Sequence, residues 1–146
     1  MAVLNRLFSA NPLSLDWGLL LLRVIPGLLM AFGHGYGKVG KFLSGEQIKF
    51  YNFGGVGPQA SLGLAAFAEF VCALLVVLGL FHRAALLPLI VTMLVAVFGA
   101  HGDDPFGKGE NALVYLAVFA ALFLTGPGRF SVDHYLFRRN AIDLRS

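Results

Sequence analysis

Long apolar stretches fill most of the 146-residue chain, and clusters of polar residues divide it into four segments. This pattern predicts helices over about residues 17–36, 60–80, 84–100 and 110–125. Because a membrane-spanning helix needs about 20 apolar residues, each segment has nearly spanning length, and the fourth is the shortest. We therefore expect an all-α fold, an integral membrane four-helix bundle in which residues 1–146 form a single transmembrane domain.

The residues that flank the apolar segments favour the same boundaries. Ser14 or Asp16 is a candidate N-cap for the first helix, and Gly126 opens a Gly-Pro-Gly sequence that ends the fourth. Apolar residues at helical spacing among charges predict short interfacial helices at both termini, over residues 1–12 and in the C-terminal tail. Residues 38–59 are rich in glycine and aromatic residues, and we expect an ordered loop or interfacial element there.

The composition favours lipid as the surrounding medium. The chain is 58% hydrophobic and 13% charged, whereas a soluble domain carries roughly 25% charged residues. Cys72 is the only cysteine in the sequence, so the chain has neither an intramolecular disulfide nor a Cys-x-x-Cys redox pair. The lipid bilayer is thus the first expected partner.

The distribution of basic residues predicts an orientation in the membrane. With four spans, both termini and the turn near Arg83 lie on one side, which carries six arginines, whereas the other side carries four lysines. The positive-inside rule then places both termini in the cytoplasm. This asymmetry accounts for the net charge of +3, so we expect no nucleic-acid partner.

Two charged residues fall inside the predicted spans, Arg23 in the first and Glu69 in the second. An unpaired charge in hydrocarbon costs several kcal/mol. We therefore predict an Arg23–Glu69 ion pair. At this point a purely structural ion pair and a functional one remain equally open.

Further polar residues collect at the helix ends that lie away from the termini. Two histidines and a carboxylate there can relay protons, donate hydrogen bonds to a quinone carbonyl or form a polar rim at the interface. No tight His/Glu spacing is present, so no metal ligand is assigned. The candidate catalytic residues are Glu69, His34 and His101. The candidate cofactor-binding residues are Arg23, Lys38, Glu110, Asn111 and Tyr115.

Several short motifs occur in an order that resembles the DoxX family of small four-helix membrane proteins. They are Leu21-Leu22-Arg23, His34-Gly35 with Lys38, Glu69, Gly79-Leu80-Phe81-His82-Arg83, Gly109-Glu110-Asn111-Ala112 and the run from Gly126 to Asp133. The resemblance implies a bacterial inner-membrane protein, often linked to oxidoreductase systems. Related proteins include the membrane subunit of a thiosulfate:quinone oxidoreductase. Relatives that act through paired cysteines use groups this chain lacks, so electron transfer here implies a bound quinone or a partner subunit.

These observations leave more than one function open. The leading hypothesis is a small membrane subunit of a quinone-linked oxidoreductase system, with quinone as the candidate cofactor; whether the chain itself is an enzyme stays open. The alternative is a non-catalytic membrane anchor or assembly factor for a partner redox enzyme. A transporter ranks lowest because no inverted repeat is visible. Small residues along the second helix also permit a homo-oligomer.

Overall fold

The computed structural model describes residues 14–45 and 49–143, and every extended regular element in these ranges is a helix. Three helices are long and apolar enough to cross a membrane, a fourth is a shorter apolar helix, and a fifth follows it. They are α1 (Leu15–Ser44), α2 (Pro58–Leu78), α3 (His82–Ala100), α4 (Glu110–Thr125) and α5 (Val132–Asp143). The all-α prediction is confirmed for the described ranges. The helix predicted over residues 1–12 lies outside them.

Helix α1 is longer than predicted. It continues past the expected end near Tyr36, through Lys38, and ends at Ser44, where Gly45 adopts a left-handed conformation with φ of 68°. Glycine takes this conformation without a steric penalty, which is why it commonly ends helices. The first part of the predicted 38–59 loop is therefore helical.

Three of the helices contain a wide, π-helical segment. The segments are Leu29–Gly35 in α1, Phe67–Cys72 in α2 and Val95–Ala100 in α3. Such segments add a residue to the helical turn, redirect the side chains around it and occur frequently at functional sites. In this protein they carry His34 and Glu69 and directly precede His101.

The four helices α1 to α4 pack in a ring, each against its neighbours in the chain, with α4 also contacting α1. Their shared core is apolar and includes Met30, Ala31, Cys72, Val76 and Phe119. Many large apolar side chains on the outer faces are exposed, among them Leu21, Leu29, Leu64, Val91 and Val114. Helices that are apolar on their outer faces as well as in the core are typical of a bundle that faces lipid.

Arg23 is only 2% exposed, and it joins α1 to two distant parts of the chain. Its Nε donates to the carbonyl oxygen of Val77 at 3.1 Å, and its two terminal nitrogens donate to the carbonyl oxygens of Pro127 and Phe130. Carbonyl oxygens at helix ends and in loops lack partners within a helix. A buried guanidinium has several donors, so it provides their hydrogen bonds and finds acceptors for its own N–H groups.

The predicted Arg23–Glu69 ion pair is wrong. Glu69 instead binds Lys38, and it lies level with Gly35, since a Cβ at Gly35 would meet the Glu69 backbone at 2.6 Å. Gly35 follows Arg23 by twelve residues, which is about 18 Å along a helix at roughly 1.5 Å per residue. An arginine side chain does not bridge that separation.

Asp133 fixes the turn between α2 and α3. Its carboxylate accepts hydrogen bonds from the backbone nitrogens of Phe81 at 2.9 Å and His82 at 2.8 Å. Its own backbone nitrogen donates to the carbonyl oxygen of Gly79 at 2.9 Å. We call Arg23, Asp133 and the 126–131 connection the terminal clasp, because together they fasten α1, α2 and α3 at one end.

The terminal clasp predicts that Arg23→Lys destabilises the fold although the charge is retained. A single ammonium group does not reproduce a planar fork that serves three carbonyls, and each hydrogen bond to a charged group contributes about 1.5–3 kcal/mol. We expect a loss of about 2–4 kcal/mol in the free energy of unfolding, measured by titrating detergent-solubilised protein with a denaturing detergent.

Arg83→Lys is the matched control, because exposed Arg83 donates a single bond within the described residues, from Nε to the Phe123 carbonyl oxygen at 3.2 Å. Its effect should stay within about 0.5 kcal/mol, as for other surface substitutions. Equal losses in the two variants would contradict the structural role assigned to Arg23.

Candidate functional site

Glu69 and Lys38 form the charged centre of the candidate site. The Glu69 side chain, in the wide segment of α2, is 5% exposed, and its Oε2 binds the Nζ of Lys38 from α1. The Lys38 side chain is 23% exposed and so retains access to the surface. Pairing with a cation offsets much of the cost of holding a carboxylate in an apolar interior.

Gly35 sets the register that brings these two side chains together. A Cβ at this position would lie 2.6 Å from the carbonyl carbon of Glu69 and 2.7 Å from the nitrogen of Phe70. The backbones of α1 and α2 are therefore in direct contact at Gly35. Lys38 follows about one helical turn later and projects from the same face.

A cavity of about 970 Å³ adjoins this ion pair, between the C-terminal part of α1, the 49–53 segment, α2 and α3. Its wall is mainly apolar, with Ala65, Ala68 and Val91 among the lining residues. Polar groups enter from several elements, and they include Lys38, Glu69, His101, Ser61, Thr92, Tyr51 and Lys49. A large, mainly apolar cavity with a few convergent polar groups is typical of a binding site for a small organic ligand.

The connection before α2 forms one wall of the cavity and is held by local hydrogen bonds. The nitrogen of Phe53 donates to Ser61 Oγ at 2.9 Å, and that hydroxyl donates to the carbonyl oxygen of Gly57 at 2.8 Å. The nitrogen of Gly57 in turn donates to Asn52 Oδ1 at 2.8 Å. These bonds keep Tyr51 and Phe53 over the space between α2 and α3.

The structure brings some of the predicted site residues together and separates the others. Lys38, Glu69 and His101 line the cavity. His34 and Tyr115 lie outside it and contact each other, with perpendicular rings whose centroids are 5.7 Å apart. Three further predicted residues do not line the cavity. They are Arg23, which lies in the terminal clasp, and the exposed Glu110 and Asn111 at the start of α4.

Several lining residues were not predicted from the sequence. Thr92 donates its hydroxyl to the carbonyl oxygen of Pro88 at 2.8 Å, one turn earlier in α3. That spacing is visible in the sequence, because a threonine inside a helix commonly donates its hydroxyl to the carbonyl oxygen four residues earlier. Tyr51 and Ser61 had no such local signal, since their position depends on how the 49–57 connection folds onto α2.

The chemistry available in the cavity is hydrogen bonding and proton transfer. The Lys38 ammonium and the His101 imidazole are donors, and the Glu69 carboxylate accepts a proton or a hydrogen bond. Within residues 14–45 and 49–143, no three His, Cys, Asp or Glu residues are grouped so as to hold a metal ion. The arrangement suits a ligand with an apolar body and a few carbonyl or hydroxyl oxygens.

The close approach at Gly35 predicts that Gly35→Ala displaces α1 from α2 and disturbs the Lys38–Glu69 pair. Overpacking of this kind costs about 1–3 kcal/mol, which the same unfolding titration measures. Gly33→Ala is the control within the same wide segment, because a Cβ there meets no described atom within 4 Å apart from the neighbouring turns of its own helix. If the two variants unfold alike, Gly35 does not set the register.

Comparison with known proteins identifies one family. The DoxX family model matches residues 18–102, a range that contains every residue lining the cavity, from Lys38 to His101. No curated protein and no solved structure matches the chain. The match covers more than half of the chain and ends before α4.

Proposed function

The chain belongs to the DoxX family, and we propose that this membrane protein is a subunit of a quinone-linked oxidoreductase system that holds a quinone in the cavity beside Lys38 and Glu69. One observation carries the proposal: an ion pair with a buried carboxylate faces a large, mainly apolar cavity. An ionised pair in such a place is costly to maintain and usually marks a working site. A polar group that served only to join helices needs no cavity next to it.

The lining residues fit the chemistry of a quinone ring. Its body is flat and apolar, which matches a wall containing Ala65, Ala68 and Ala96. Its carbonyl oxygens accept hydrogen bonds, which the Lys38 ammonium and His101 supply. The cavity volume of about 970 Å³ accommodates such a ring with part of a side chain.

The residues have distinct roles in this proposal. A quinone supplies two-electron, two-proton redox chemistry when bound, and a partner redox subunit delivers or removes the electrons. Lys38 and His101 orient the carbonyl oxygens. Glu69 gives or takes a proton at its carboxylate, and Lys38 stabilises the ionised form. Arg23 has no role in binding, since its three hydrogen bonds within the described residues hold the terminal clasp and it does not line the cavity.

The orientation proposed for the protein places the cavity near the periplasmic face of the bacterial inner membrane. Helices α1 to α4 cross the membrane in four passes, with both termini in the cytoplasm because the arginine-rich side follows the positive-inside rule. The terminal clasp then lies at the cytoplasmic end. Lys38 and His101 lie at the opposite end, near the periplasm.

Filling the cavity provides a direct test. Ala96→Phe places a ring into the space that the ligand would occupy, so binding of decylubiquinone to protein in lipid nanodiscs should fall at least tenfold, measured by equilibrium dialysis. Ala117→Phe adds the same ring at an exposed position of α4 and should leave binding within twofold. Unchanged binding in Ala96→Phe, or none in the unsubstituted protein, would refute the proposal.

The same two variants separate a redox subunit from a non-catalytic anchor. In native membranes with matched protein levels, a redox subunit loses quinone reduction in Ala96→Phe but not in Ala117→Phe. An anchor or assembly factor retains equal activity in both, because its role depends on folding alone.

A further inference from the structure

Helices α2 and α3 form a wedge. Near the turn that joins them, residues 67–78 of α2 pack along residues 82–94 of α3, whereas Pro58–Ala66 and Val95–Ala100 make few or no close contacts with each other. The turn is tight, with φ of 67° at Gly79 and 47° at Phe81, so the two helices start in contact. They separate toward their other ends, and the cavity fills the space between them.

The wedge opens toward the lipid-facing surface. Leu64 and Phe67 of α2 and Val91 of α3 line the cavity, yet they are 57%, 52% and 48% exposed. We call these three residues the portal. Behind them lie the buried Ala65, Ala68 and Glu69, so small apolar side chains line the space between the portal and the ion pair, with Ser61 and Thr92 as polar groups in the same wall.

The geometry points to the portal as a lateral entrance through which a membrane-dissolved amphiphile reaches the cavity. Its polar head binds at Lys38, Glu69 and His101, and its single apolar chain leaves between Leu64 and Phe67 on one side and Val91 on the other. This inference rests on the proposed function and narrows its substrate class to quinones that carry an apolar chain and come from the bilayer.

The physical reason is the medium that surrounds the apolar chain of the ligand while its polar head is bound. Moving an apolar chain from lipid into water costs free energy for every CH₂ group that becomes exposed. A ligand entering from the aqueous rim, beside Lys49 and Tyr51, would pay this cost along its route. Through the portal the chain stays in an apolar medium throughout, so the head can bind while the chain remains in lipid.

The test compares two quinones in nanodiscs: decylubiquinone, which carries a ten-carbon chain, and 2,3-dimethoxy-5-methyl-1,4-benzoquinone, which has the same ring without a chain. Val91→Trp narrows the portal and should lower the affinity for decylubiquinone at least tenfold, while binding of the chainless quinone stays within twofold. Leu87→Trp is the control, since Leu87 is 53% exposed on the same helix but does not line the cavity.

The outcomes separate the portal from the proposed function. If Val91→Trp leaves decylubiquinone binding unchanged, or weakens both quinones equally, the portal is refuted while the quinone site stands. If Leu87→Trp weakens decylubiquinone as strongly as Val91→Trp, the effect is not specific to the portal, and the inference is refuted. If neither quinone binds the unsubstituted protein, the proposed function itself fails.

Discussion

The structure depends on how two charges are accommodated in an apolar interior. Arg23 and Glu69 are both almost fully buried, and an isolated charge in such surroundings costs several kcal/mol. The protein satisfies them separately. Arg23 donates to three carbonyl oxygens in the terminal clasp, and Glu69 binds Lys38 beside the cavity. Between the two lies a core of apolar side chains. The two ends of the bundle therefore have different roles: the terminal clasp holds the helices together at one end, and the candidate site lies toward the other.

Much of the helical architecture follows from the apolar pattern, because a helix in lipid must be long and apolar whatever it packs against. The position of Arg23 and Glu69 inside the predicted spans also followed from the apolar pattern. The partner of Glu69 was not predictable from that pattern. Both Arg23 and Lys38 lie on α1, and the choice between them depends on the register of α1 against α2, which the backbone contact at Gly35 sets. Gly35 stands next to the predicted end of the first helix at residue 36, whereas the structure uses it for the close approach of α1 to α2.

The candidate site was likewise predictable in part. Residues marked by the local sequence were found, whereas features that depend on how distant segments pack were not. Glu69 was predicted as a charge inside a span, and Lys38 and His101 were predicted as polar residues at helix ends; all three line one cavity. His34 was expected to join them but lies against Tyr115, because the wide segments redirect side chains in a way that ideal helical spacing does not anticipate. The cavity itself results from the divergence of α2 and α3 and from the 49–57 connection. Neither feature leaves a periodic pattern in the sequence.

A double-mutant cycle tests the central claim, that Lys38 and not Arg23 stabilises Glu69. The free energy of unfolding is measured for Lys38→Met, Glu69→Gln, Arg23→Met and the two double variants that include Glu69→Gln. Residues in one ion pair show interaction energies of about 0.5–3 kcal/mol, whereas distant sites add to within about 0.5 kcal/mol. The account predicts coupling of about 1–3 kcal/mol between Lys38 and Glu69 and additivity between Arg23 and Glu69. Coupling of Glu69 to Arg23, with none to Lys38, would contradict it.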